Sequence, residues 1–254
     1  SLSNIFFWLL SYLGYFTNDD AFYSNNTFRY IDATTYFLSI YIIYHFSKNN
    51  KEKLFSIPIF LALFTILISN TRFLIFSIIL TIIIANIKDI KKFLKYIILS
   101  SVLVSVFIML SINFGSTRVI DGFSKKDGVS SQFVNRFSPS LNIIKKMDNK
   151  DILIGNGIGT YFKIPWFEYR KNIEDINITI DSLYLTMFPK YGLISLIIII
   201  LIFYILYNST KEIPQNIKFL FFLSLIGITS AFIYQTYFMG IVLALYIIMI
   251  NREN

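Results

Sequence analysis

Residues 115–181 read GSTRVIDGFSKKDGVSSQFVNRFSPSLNIIKKMDNKDILIGNGIGTYFKIPWFEYRKNIEDINITID, a long stretch too polar for a bilayer. It holds Arg118, Arg136 and Arg170, several Lys and Asp/Glu, and most of the glycines. Ile/Leu/Phe-rich runs flank it on both sides, at about 1–16, 33–46, 54–69, 73–87, 96–114, 182–207, 219–234 and 238–250. An uncharged apolar run of roughly 18 residues or more reads as a membrane-spanning helix. The polar stretch is then a loop between two groups of spans. Residues 1–114 form the first group, 115–181 the loop and 182–254 the second group.

Composition points the same way. The chain has 254 residues, 55% of them hydrophobic and 15% charged, where a soluble domain carries about 25% charge. Backbone groups in lipid must be satisfied within the element, and the runs lack strand-like alternation, so helices are expected over a barrel. The expected fold class is all-α, a polytopic integral membrane protein with short helices in one large extracytoplasmic loop. No signal peptide with a charged start and a cleavage site is visible. The chain opens on Ser1 inside an already hydrophobic stretch, and further spans are expected before it.

The net charge of +8 does not imply nucleic acid. Lys48, Lys51 and Lys53, then Lys88, Lys91, Lys92 and Lys95, then Lys211 and Lys218 sit in short connections that alternate onto one side. By the positive-inside rule that side is cytoplasmic. Cysteine is absent, which excludes disulfides and thiolate metal sites.

Arginine is distributed differently from lysine. Arg29, Arg72, Arg118, Arg136 and Arg170 all fall on the outer side, and Arg252 alone falls inside. A guanidinium grips phosphate or carboxylate with a planar fork, so an anionic ligand at the outer boundary is expected. The plainer alternative is a solvated loop with ordinary ion pairs. Arg72 lies in a turn between two short apolar runs, where a charge is costly unless it works or snorkels to the headgroups.

Inside the loop, Ser138-Pro139 reads as a helix start, with Ser as N-cap and Pro in the first turn. Phe137, Leu141 and Ile144 then recur at helical spacing, and the helix is expected to end near Asn149. Arg136 would precede the helix, where its positive end also favours an anion. Gly155-Asn156-Gly157-Ile158-Gly159 resembles a phosphate-binding turn only loosely, and a flexible turn near a ligand is the modest reading. Asp19-Asp20 offers oxygen ligands to a divalent ion, though a solvated pair is the commoner meaning. His45, at the end of a run, reads as structural.

Three stretches in order carry a resemblance. They are SNTRFLIFSIILTIIIA (69–85), NRFSPSLNIIKKMDNKDILIGNGIGTYF (135–162) and DSLYLTMFPKYGLISLIIIILIF (181–203). Their order around one large outer loop resembles the O-antigen polymerase and O-antigen ligase superfamily (Wzy/WaaL type), over roughly residues 54–207. The resemblance implies a GT-C-like membrane glycosyltransferase without cofactor or metal. It would act in the bacterial cytoplasmic membrane with its site facing the exterior. The implied partners are an undecaprenyl-diphosphate-linked oligosaccharide, the lipid bilayer and a chain-length regulator. In that pattern Arg72 and Arg136 handle the lipid diphosphate; Arg170 or Arg118 is a further candidate contact to it, unranked between the two. Asp181 stands where ligases of this family carry His, a departure that favours a repeat-unit polymerase with Asp181 as general base. The plain reading of Asp181 is a helix N-cap. A ligase, or a flippase of lipid-linked glycans, stands as the alternative.

Overall fold

The structure is a computed structural model. It describes residues 2–13, 22–23, 27–28, 33–47, 56–69, 71–87, 89–113, 128–164, 176–211 and 216–234. The first half holds α1 (Leu2–Tyr12), a hairpin of β1 (Phe22–Tyr23) and β2 (Thr27–Phe28), α2 (Ala33–Ser47), α3 (Ile57–Ile68), α4 (Arg72–Ala85) and α5 (Ile90–Asn113). The polar stretch folds as α6 (Gly128–Ile144), α7 (Asn149–Ile154), and a hairpin of β3 (Phe162–Lys163) and β4 (Ile176–Asn177). It leads into α8 (Leu183–Tyr191), α9 (Ile194–Thr210), α10 (Asn216–Thr229) and a 3-10 turn at Phe232–Tyr234. Both hairpins are antiparallel, and β3–β4 pairs Phe162 with Asn177 and Lys163 with Ile176.

The apolar runs do become helices, but the expectation of a polytopic GT-C-like membrane protein is corrected. Among the described residues no helix is long and apolar enough to cross a membrane. A helix rises 1.5 Å per residue, so a hydrocarbon core of about 30 Å takes about 20 residues. Helices α1 to α4 hold 11, 15, 12 and 14 residues. The run read as one span over 182–207 is two helices of 9 and 17 residues, parted at Gly192. Helix α5 has 24 residues, several of whose side chains lie outside the described ones. Continuous apolarity overstated helix length because local breaks leave little trace in hydropathy. The run at 238–250 lies outside the described residues.

One core joins the two helical groups. Ile40, Ile43, Ile59, Leu74 and Ile78 from the first half pack with Leu183, Met187, Phe219, Phe222 and Leu223 from the second. Helices α2, α3, α4 and α10 form the centre of this packing, and α8 docks against α10. Polar side chains in these helices turn back on their own backbone. Ser39 donates to Thr35 O, Thr65 to Leu61 O, Ser77 to Phe73 O and Thr81 to Ser77 O, at 2.7 to 2.8 Å. A hydroxyl in an apolar interior is satisfied that way without a partner helix. His45 lies between the rings of Tyr41 and Phe46.

A second, smaller core supports the polar stretch. Phe162, Ile164 and Ile180 are buried together, with Ile143 of α6 and Leu185 of α8 packed on them. It holds α6, the β3–β4 hairpin and the start of α8 as one unit.

Candidate functional site

Helix α6 is longer than its sequence signals suggest. It runs from Gly128 to Ile144 with Pro139 inside it, so Ser138 does not cap it and Arg136 does not precede it. A proline has no N–H and breaks one rung of the helical ladder, and here the helix tolerates that rather than starting there. The helix-end attraction for an anion at Arg136 therefore falls away. Leu141, one of the apolar positions at helical spacing, is exposed, while Pro139 and Ser140 are buried. The Ser140 hydroxyl donates to Leu185 O at 2.6 Å and fastens α6 to α8.

That contact sets the site. Ser140 lies one helical turn beyond Arg136, and Leu185 lies four residues beyond Asp181. Arg136 Nε then stands 4.0 Å from Asp181 Oδ2, with both side chains about half exposed. An exposed pair at this distance contributes roughly 0–1 kcal/mol, so it is readily opened by a competing anion.

Asp181 is free for such a role because it is not the cap. Ser182, in extended conformation, caps α8, its hydroxyl accepting from Leu185 N–H at 3.4 Å. An Asp-Ser pair before an apolar run leaves the choice of cap open in sequence, since both types cap well. The backbone before Asp181 is fixed too. Thr186 Oγ1 accepts from Ile180 N–H at 3.1 Å and donates to Ile180 O at 3.3 Å.

The glycine turn has a different use. Asn156 N–H donates to Pro189 O and Gly157 N–H to Lys190 O, at 2.9 and 3.0 Å. The turn wraps the C-terminal end of α8, where carbonyls otherwise lack partners. Lys190 closes it from the other side. Its Nζ donates to Ile158 O at 2.7 Å, under the rings of Phe162 and Tyr234. Lys190 is 2% exposed, and this burial pushes its amine below the ordinary lysine range. Sequence gave no sign of this: Lys190 sits in an unremarkable Pro-Lys-Tyr.

For the other expected residues the structure describes no side chain. Arg72 is the first residue of α4, which packs on α2, α5 and α10. Its side chain, like Arg170, Arg118, Arg29 and Asp19-Asp20, lies outside the described residues. Among the described residues no group of three His, Cys, Asp or Glu is arranged to hold a metal.

The family model described as "Family of unknown function (DUF6369)" matches residues 1–253. The chain belongs to that family. No curated protein and no solved structure matches it. Membership in DUF6369 assigns no activity, so the chemistry of this DUF6369 chain is argued from Arg136 and Asp181 themselves. A guanidinium beside a carboxylate, both open to solvent, offers an anion grip and a proton acceptor within one substrate's reach.

Proposed function

We propose that this chain is a glycosyltransferase that polymerises oligosaccharide repeat units carried on undecaprenyl diphosphate into O-antigen, capsule or exopolysaccharide. The observation that carries the reading is the solvent-open Arg136–Asp181 pair, with Ser182 doing the capping that would otherwise occupy the carboxylate. A donor diphosphate displaces the carboxylate from Arg136 and takes its place. Asp181, released, accepts the proton of an acceptor hydroxyl as that oxygen attacks the anomeric carbon. The bond from that carbon to the diphosphate oxygen breaks, and the leaving group departs with its electron pair. Arg136 stabilises the charge that builds there. Arg72 and Arg170 are further contacts to the same diphosphate under this reading.

The lipid part of the donor also has support. Helices α5 and α9 expose apolar side chains along much of their length, among them Ile98, Val102 and Met109, and Ile197, Ile200 and Ile205. Exposed apolar helix faces suit a protein or membrane contact. We assign these to lipid at the bacterial cytoplasmic membrane, where the donor resides.

Complementation tests the function. In cells lacking the native gene, the intact chain restores a ladder of long polysaccharides on a gel. Arg136→Ala, at equal protein level, leaves single repeat units. A full ladder from the mutant removes Arg136 from the site. No ladder from the intact chain removes the polymerase reading and brings ligase or flippase assays forward.

A further inference from the structure

We infer that Thr186 is a positioning residue for Asp181, an inference that rests on the glycosyl-transfer reading above. Thr186 does not face the site, and its residue is fully buried. Its hydroxyl makes two bonds to one residue, accepting from Ile180 N–H at 3.1 Å and donating to Ile180 O at 3.3 Å. A hydroxyl has one proton and two lone pairs, so this arrangement uses it as donor and acceptor at once. The carbonyl of Ile180 belongs to the peptide unit that leads into Asp181. Thr186 therefore holds the backbone immediately before the proposed base.

The other side of Asp181 is held as well. Ser182 N–H donates to Ile180 O at 2.7 Å, and Thr186 N–H donates to Ser182 O at 3.0 Å. Ile180 is anchored by its side chain, buried at 3% exposure with Phe162 and Ile164. Asp181 is thus an exposed side chain between two fixed neighbours, and the first turn of α8 fixes both. A base must meet the acceptor hydroxyl within hydrogen-bond reach. A misplacement of about 1 Å at a reacting group costs about a hundredfold in rate. Thr186 touches neither the diphosphate nor Arg136, so its loss acts on turnover and not on the grip of the donor.

The test uses the full chain with lipid-linked repeat units extracted from cells that lack the gene, following polymer formation. Thr186→Val keeps the shape and removes both bonds. It lowers kcat by about tenfold to a hundredfold, leaves the donor KM within about twofold, and Thr186→Ser restores turnover. Thermal melts of each variant give its folded fraction. A Thr186→Val rate equal to that of the intact chain, with Asp181→Asn inactive, overturns the inference and leaves the function standing. So does a loss accounted for by folded fraction alone, or one that falls on KM. Where Thr186→Val does not accumulate, Thr186→Ala removes both bonds, and wild-type turnover per folded molecule there overturns the inference. If the intact chain makes no polymer, the functional reading itself fails.

Discussion

Lys190 keeps a charged amine where water scarcely reaches it, against one carbonyl and two ring faces. Ile158, which supplies the carbonyl, is exposed, so that oxygen can turn to water if the amine is lost. The buried charge is therefore the larger cost. Replacing a buried ion pair by apolar side chains of similar volume is often neutral or stabilising, because desolvating charge is costly, and the same cost falls on this lone amine. Lys190→Met is expected to be more stable than the native chain near neutral pH. Burial lowers the amine's folded pKa, so between that value and the unfolded value of about 10.4 the unfolded chain binds more protons. The native chain's stability rises with pH across that window, and its deficit against Lys190→Met shrinks. Tyr96 and Tyr184, whose hydroxyls burial pushes up, titrate in both proteins and cancel in the difference. Tyr234, pushed up by burial too and lying against Lys190, confines the comparison to pH below the ordinary tyrosine value of about 10. Urea unfolding of the pair at neutral and alkaline pH reads it directly, and a pH-independent gap with Met the weaker would show the Ile158 bond to dominate. At this scale the sequence was partly legible. Arg136 and Asp181 stood out by charge type, place and resemblance, whereas Lys190 and Thr186 matter through contacts 32 and 6 residues away.

At the scale of elements, the break at Gly192 and the turn at Gly155 are two halves of one interlock. Gly155 has φ +78°, and a Cβ there would lie 2.2 Å from Lys190 O. Gly192 has φ +55°, and a Cβ there would lie 2.4 Å from Ile152 O. Leu193 N–H donates to that same Ile152 oxygen at 2.8 Å. The ends of α7 and α8 meet backbone to backbone, which only a residue without a side chain permits. Gly192→Ala combines a left-handed backbone with a collision against main chain, and should cost more than the roughly 1–3 kcal/mol of backbone strain alone. Gly159→Ala meets open space and should stay within about 0.5 kcal/mol of the native chain. Thermal melts of the two variants separate the interlock from a ligand turn. If the turn gripped a phosphate instead, Gly159→Ala would impair donor binding and Gly192→Ala would melt normally. Sequence located these glycines but not what approaches them, because the close contact is with a helix end more than thirty residues on. It located most helices for the opposite reason, since apolar runs declare themselves locally. It misplaced the start of α6 because Ser-Pro is a strong local signal that packing at Ser140 and Leu185 overrode.

For the whole molecule, hydrophobic content was legible from composition and its deployment was not. Some of the 55% hydrophobic residues fill the shared core of α2, α3, α4, α8 and α10, and many stay outside on α5 and α9. Lys91 and Lys95 lie exposed at one end of α5, and Lys211 at the end of α9. Amines beside an apolar surface suit the headgroups and acyl chains of an anionic bilayer. Ile98 on α5 is 64% exposed and Ile200 on α9 is 67% exposed, so neither carries the core. Changing both to Glu places a carboxylate where acyl chains would lie and leaves the packed interior alone. The double variant Ile98→Glu, Ile200→Glu should keep its melting behaviour, since surface changes usually stay within about 0.5 kcal/mol. Its partition into anionic vesicles, read by flotation, should fall by about tenfold or more, because a charge set into hydrocarbon costs about 2.5–3.5 kcal/mol on insertion scales. Undiminished flotation would mean that these faces do not meet lipid. A protein partner or a second copy would then have to cover them, and the double variant would instead change the chain's apparent mass in gentle detergent.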